Sequence, residues 1–448
     1  MTETLPCVTE FVLNRSAETF PQSALREAAR LMVDTIGIAI AAQPMQAGRI
    51  ARDAACVMFN SSDPAMRARM MFDGREASIP GAAYALASQI DNLDGHDGFN
   101  PVKGHIGVVV LPTLLTLMQR CPEMSGPEAL ATVVVGYEVA GRAGLSLHGS
   151  VSDYHTSGAW NALGVVAMAA RMNRGSAETL RQAFGIAEYH GPRSQMMREI
   201  ANPTMLHDGS GWGALVGLSS WMLAENGFTG APAITIEDAA VAAHWGDLGE
   251  DWQVERQYIK PYPICRWAHG SIDAVREIQL AQQLSPNEIK SVRLRSFHEA
   301  VCLYPGMPET TSQAQYSLGF AVANFLVHGQ IGLAQISGAG LSDENVASML
   351  SRIKVEEADE HNARFPSGRW ADATIEATDG RILKSGDTAA RGGIETPFTD
   401  AEIDEKYYSF ANPVLGEARA KAIRDAILNL TRPESKLSDL APLVFDAP

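Results

Sequence analysis

Two stretches of this chain, Gly158 to Met172 (GAWNALGVVAMAARM) and Gly211 to Leu223 (GWGALVGLSSWML), are apolar at helical spacing and carry small residues on more than one side. Small side chains let helix axes approach closely, and a helix that is apolar nearly all round has to be enclosed by others. The same texture runs from Ser23 to about residue 260, with Leu25, Ala28, Ala29, Leu31 and Met32 on one helical face and Leu130, Val133, Val134 and Tyr137 on another. The expectation is a mainly α protein with a large helical core, which 448 residues at 46% apolar composition are ample to build.

The pattern changes after His269. One helix is expected at Ser271 to Gln283, followed by apolar–polar alternation at Ile289 to Ser296 (IKSVRLRS) and a further strand at Ile353 to Glu357. Ala373 to Leu383 (ATIEATDGRIL) reads as a hairpin turning on Asp379-Gly380. Gly386 to Phe398 reads as loop, and helical spacing returns from Asp400 to Leu430. The simplest architecture is a discontinuous helical domain, residues 1–268 with 400–448, interrupted by a smaller α+β domain at 269–399. No internal repeat or low-complexity tract is evident.

Charge excludes several functions. Acidic residues number 52 against 36 basic ones, a formal charge of −16, which opposes binding to nucleic acid or to anionic membrane surfaces. An anionic small-molecule substrate would need a local basic pocket. The five cysteines (Cys7, Cys56, Cys121, Cys265, Cys302) form no C-x-x-C pair, so neither a disulfide framework nor a structural zinc site is suggested, and a reducing cytoplasm fits best. The first residues lack a basic segment followed by an apolar run, and no stretch of about 18 consecutive apolar residues occurs, so neither secretion nor membrane spanning is expected.

Three stretches carry chemistry. Asp91 to His105 (DNLDGHDGFNPVKGH) packs three Asp, two His and one Lys into a Gly-rich loop before an apolar helix. Its Asp spacing fails the calcium-loop pattern; a looser metal site from His96, Asp97 and His105 is an alternative to a plain solvated or capping loop. His155 directly precedes the buried helix at Gly158, whose amides and a neutral imidazole could face an anion. Lys260 to His269 (KPYPICRWAH) holds the chain extended with two prolines while presenting Lys, Cys, Arg and His at the domain junction. There Arg266 is suited to grip a carboxylate bidentately, and a desolvated Lys260 to act as a base. Gly209 to Ala214 (GSGWGA) matches a dinucleotide fingerprint, but no strand precedes it, so helix packing is the reading preferred.

Taken in order and spacing, IDNLDGHD with KGHIGVVVLPTLLTL, HTSGAWNALGVVAMAAR, MLHDGSGWGALVGLSSWMLAENGFTG and KPYPICRWAHGSIDA resemble the MmgE/PrpD family over essentially the whole chain. That family includes 2-methylcitrate dehydratase, cis-aconitate decarboxylase and iminodisuccinate epimerase, and the text is most similar to the last. The resemblance implies a large all-helical domain with an α+β lid, a homodimer, a site at the domain interface that uses no cofactor and no metal, and a small polycarboxylate substrate. It implies proton transfer at the carbon next to a carboxylate.

Carried over by position, the family's polar site residues fall on Asp91, His105, His155 and Lys260, with Arg266 and His269 in the last segment. Lys260 with His155 or His105 forms the expected acid–base pair, Asp91 orients a histidine, and Tyr154 is a candidate second acid whose phenol could be shifted by neighbouring cations. Arg266, Arg193, Lys103, His269 and His96 are the expected substrate-binding residues. Two departures matter. The lysine common two places before the His of T-x-L-H-x-G is here Met205, and the common His-Pro-Ser is here His105-Ile106-Gly107. Both weaken dehydration or decarboxylation and favour a cofactor-independent epimerase of iminodisuccinate. A dehydratase of a 2-methylcitrate-like tricarboxylate is the alternative, and a non-catalytic polycarboxylate sensor a third reading.

Overall fold

The computed structural model describes residues 4–448. Its centre is the 25-residue helix Gly126–Ser150, which packs along Gly158–Met172, a helix with every residue buried. Ser210–Glu225 lies on that helix and on Ile79–Asp91. The glycines of GSGWGA form the contact: a Cβ on Gly211 would sit 2.0 Å from the Ser88 hydroxyl, and one on Gly213 2.3 Å from the Asn161 amide oxygen. The fingerprint match is thus a packing seam between helices.

Gly126–Ser150 is long and apolar enough to cross a membrane by length and composition, but 94% of its apolar window is buried inside the protein. Its polar residues find partners there. Glu138 and Arg142 pair at 3.4 Å, and the Tyr137 hydroxyl donates to Asp97 at 3.0 Å.

The second layer is a five-stranded mixed sheet. A short antiparallel ribbon, β1 (Arg67–Arg69) with β2 (Glu76–Ser78), precedes it within the helical part and was not expected from the pattern. The sheet comprises β3 (Ile289–Ser296), β4 (Ile353–Glu357), β5 (Trp370–Ala377), β6 (Ile382–Lys384) and β7 (Thr388–Ala389), with order β4-β3-β5-β6 and β7 also on β5. β3 and β4 are parallel, joined by a helical crossover; β5 and β6 form the expected hairpin, with Gly380 at φ 92° in its turn. Alternate residues Ala371, Ala373, Ile375 and Ala377 of β5 are buried, and helix His269–Gln282 packs on the strand.

Three local expectations are corrected. Thr388–Ala389 is a short strand inside the stretch read as loop, because its backbone completes the β5 edge. Much of 239–268 winds as short 3-10 turns between extended pieces rather than long helix. The helical run from Asp400 breaks at Gly416 (φ 74°) into Asp400–Leu415 and Glu417–Asn429. Both pieces pack on Gln22–Ala42, so the chain's last helices return to its first.

Candidate active site

Everything in the site hangs on the loop that follows helix Ile79–Asp91. Gly98 exchanges two backbone hydrogen bonds with Tyr258, donating at 3.1 Å and accepting at 2.8 Å. A Cβ on Gly98 would overlap the Tyr258 hydroxyl at 2.3 Å, so the loop needs glycine there. From the sheet side, the Gln315 amide oxygen accepts from Asp94 N–H at 2.6 Å while its nitrogen donates to the Asn92 carbonyl at 3.1 Å. Lys406, from helix Asp400–Leu415, is bonded to Asp34 and donates to the Gly95 carbonyl at 2.6 Å. Three distant segments therefore clamp the loop, and its polar side chains are fixed before any ligand arrives.

Lys260 is fully buried and ion-paired with Asp94, and it also donates to the Asp94 carbonyl at 3.2 Å. Burial would raise the Asp94 carboxyl, but the Lys260 ammonium beside it outweighs burial and holds Asp94 well below the usual carboxylate range. Lys260 thus faces a carboxylate in a buried ion pair rather than standing alone in an apolar wall.

His105 holds the better geometry for a base. Its Nδ1 faces the Asp208 carboxylate in a short contact, and Ser157 Oγ donates to the same Asp208 oxygen at 2.8 Å. That fixes the ring and leaves Nε2 directed at Asp94 Oδ1, 3.8 Å away, with the Tyr258 hydroxyl at 3.5 Å. The helix Gly158–Met172 supports this directly, because the Gly158 N–H donates to the Asp208 carbonyl at 3.0 Å. The orienting carboxylate is Asp208 rather than Asp91. Asp91 accepts from Ser210 N–H at 3.0 Å and lies 3.8 Å from His96 Nε2. Burial first, then the Asp208 charge, push the Asp91 carboxyl well above the usual carboxylate range.

The other expected residues divide into wall and periphery. His96 is fully buried with Nδ1 on the Asp97 carbonyl at 3.3 Å, and burial, with the Lys260 charge adding to it, pushes the imidazole well below its usual range. Tyr154 hydrogen-bonds the Lys103 carbonyl, and the Lys103 ammonium lies 4.3 Å from its ring centre. Burial pushes the Tyr154 phenol far up, so the expected cation-driven activation is not what this position supplies. His155 pairs its backbone with Gln195; among the described residues no hydrogen bond or ion pair joins it to Lys260 or His105. Arg266 is not free to grip a carboxylate, since its terminal nitrogens donate to the Arg391 and Ala390 carbonyls at 2.5 and 2.9 Å. Burial lowers that guanidinium to about 10. His269 is buried with Nε2 on the Ile264 carbonyl at 2.9 Å, a scaffold position. Arg193 is exposed, on a loop before helix Met196–Ala201. Asp97 is consumed by Thr35, Tyr137 and Gly107, so it is no metal ligand.

Sequence reasoning missed Asp94, Asp208, Tyr258, Tyr316 and Arg369. Asp94 and Asp208 stood inside the motifs already quoted, but which of several aspartates meets which cation depends on pairing across more than a hundred residues. Arg369 is buried, donates to the Asn100 carbonyl at 3.4 Å, and keeps Nε without a partner. Tyr316 hydroxyl lies 3.5 Å from His207 Nδ1. Both come from the sheet-bearing part of the chain. Met205 is half-exposed and lines a cavity of about 140 Å³ with Asp91, Asn92, Leu206 and Trp212, and among the described residues no cation lines it.

Among curated proteins the chain is similar to the cis-aconitate decarboxylase-like protein oryM of Aspergillus oryzae, 23% identical over 416 residues, covering 81% of this chain and 82% of that protein. It is also similar to the cis-aconitate decarboxylases of Aspergillus terreus (22% over 420 residues, 82% and 80%) and Homo sapiens (22% over 371 residues, 78% and 76%). The MmgE/PrpD N-terminal domain matches residues 8–249 and the MmgE/PrpD C-terminal domain residues 262–432, which together take in the loop, both histidine motifs and the sheet. The chain belongs to the MmgE/PrpD family.

Proposed function

We propose that this protein moves a proton at a carbon α to a carboxylate of a small polycarboxylate, without a cofactor, and that the reaction is epimerisation of iminodisuccinate. The observation that carries the reading is the pair of proton carriers that meet at one Asp94 oxygen: a histidine oriented by Asp208, and a buried lysine. Removing the α-proton leaves negative charge on the adjacent carboxylate, which Lys260 stabilises electrostatically in a site shielded from water. Returning a proton from the second carrier inverts the centre. His105 is the base in this scheme, Lys260 the acid and Asp208 the positioning residue.

The absence of a cation at Met205 favours simple proton return, because losing carbon dioxide or hydroxide asks for more charge control on the substrate's other carboxylates. A second reading stays in play on a specific observation: the relatives named above are cis-aconitate decarboxylases, which favours a tricarboxylate substrate and the dehydratase alternative. Chelator-treated protein incubated with one iminodisuccinate stereoisomer in deuterated water decides. Interconversion with deuterium gained at the α-carbon is expected. No exchange there, with water lost from 2-methylcitrate in a parallel reaction, selects the dehydratase.

The family resemblance also implies a homodimer, and we propose that it forms through the exposed apolar face of Ile50, Met205, Leu206 and Trp212. Light scattering on the purified chain reads this directly. The cysteines are all free, which supports a cytoplasmic location.

A further inference from the structure

We propose that Asp91, His96 and His105 form a binding site for a divalent transition-metal ion of the Zn²⁺ or Co²⁺ type, and that an ion bound there blocks the reaction proposed above. One ligand atom from each residue lies within 4.8 Å of the other two. The imidazole rings of His96 and His105 meet edge to face, 4.5 Å between centres. Asp91 Oδ1 is 3.8 Å from His96 Nε2.

Proximity of an acid and two histidines is common; the orientation of the histidines is what argues for an ion. His96 Nδ1 is engaged by the Asp97 carbonyl at 3.3 Å, and His105 Nδ1 by the Asp208 carboxylate. Each ring is therefore held through Nδ1, the arrangement in which a backbone carbonyl and a carboxylate orient metal-bound imidazoles, and the Tyr258 hydroxyl 3.5 Å from His105 Nε2 would give way to an ion. His96 Nε2 is fully buried and has no hydrogen-bond partner. Asp91 is fixed from behind by Ser210 N–H at 3.0 Å. A buried imidazole nitrogen without a partner costs free energy, and an ion at this point would satisfy it.

The donor set selects the ion. Two imidazoles and one carboxylate suit zinc and cobalt, whereas calcium and magnesium prefer all-oxygen shells. Tetrahedral bonds of about 2.0–2.1 Å place neighbouring ligand atoms roughly 3.3 Å apart, so the atoms, now 3.8 Å apart for one pair and within 4.8 Å for all, would close by about 0.5–1.5 Å on binding. Lys260 already occupies Asp94, which leaves the fourth position to water.

The binding claim stands on these residues alone; the inhibition rests on His105 being the base. The test uses the chelator-treated full-length protein in buffer free of polycarboxylates, which would compete for metal. Co²⁺ titration followed by visible absorption, and calorimetry with Zn²⁺, should give one ion per chain with a tetrahedral-type spectrum. His96→Ala and, separately, Asp91→Asn should each weaken binding at least tenfold, with near-UV circular dichroism unchanged. No stoichiometric binding, or binding untouched by both variants, overturns the site. One bound ion that depends on His96 while α-proton exchange continues at full rate would support the site and overturn His105 as the base.

Discussion

Replacing Lys260 by Met tests the centre of the site through stability, independently of any substrate. In the wild type the ammonium is fully buried and Asp94 is its counter-ion. Removing one partner of a buried pair leaves an uncompensated charge, at a cost of about 3–5 kcal/mol. The cost should depend on pH, with a sign that can be worked out. In the wild type the Asp94 carboxyl is depressed on folding, so its contribution is present above the unfolded value near 4 and is lost only at strongly acid pH. Without Lys260 the burial that otherwise raises this carboxyl prevails, so the folded state takes up a proton that the unfolded state has already released. Lys260→Met should therefore be markedly destabilised at pH 8 and recover as the pH falls toward 5. Adding Asp94→Asn should restore most of the loss at pH 8, because the unpaired charge is gone, while α-proton exchange stays abolished. Urea denaturation followed by tryptophan fluorescence at the two pH values measures this. A Lys260→Met variant as stable as the wild type at both would refute the reasoning that the pair is buried and coupled.

Three further outcomes follow from particular contacts. Asp208→Asn should keep the Ser157 bond but lose the group that sets the His105 tautomer, lowering kcat about 10²–10⁴-fold with KM little changed, by analogy with Ser-His-Asp enzymes; a loss below threefold would remove Asp208 from the role. Arg266→Lys cannot span both the Ala390 and Arg391 carbonyls, so it should cost about 1–3 kcal/mol in denaturation while folded protein keeps near wild-type KM; a large rise in KM alone would reinstate Arg266 as a substrate contact. Tyr154→Phe removes only the bond to the Lys103 carbonyl and should leave exchange within about tenfold, whereas a loss on the scale of general acid catalysis, roughly 10²-fold or more, would make the phenol the second acid.

Much of the architecture was legible because it rests on local pattern. All-round apolar helices such as Gly158–Met172, the alternation at Ile289–Ser296 and the Asp-Gly turn of the β5–β6 hairpin each follow from the periodicity of a few consecutive residues. The family pattern likewise sits in contiguous text, and the Lys260, His105, Asp91 and His96 it contains come together around Asp94 in the folded chain.

Roles within that centre were decided elsewhere. Arg266 and Lys260 stand six residues apart in one motif, yet one spends its charge on backbone carbonyls of the 390–391 turn and the other on Asp94, 166 residues earlier. Asp91, Asp94, Asp97 and Asp208 are equivalent as letters; folded, one has its carboxyl pushed up by burial, one is paired with a lysine, one is tied to Thr35 and Tyr137, and one orients His105. Residue type and spacing determine that a group can carry charge or a proton. Its protonation state and its partner are set by desolvation and by charges brought near in space, and those exist only once the sheet-bearing segment and helix Asp400–Leu415 have closed on the loop.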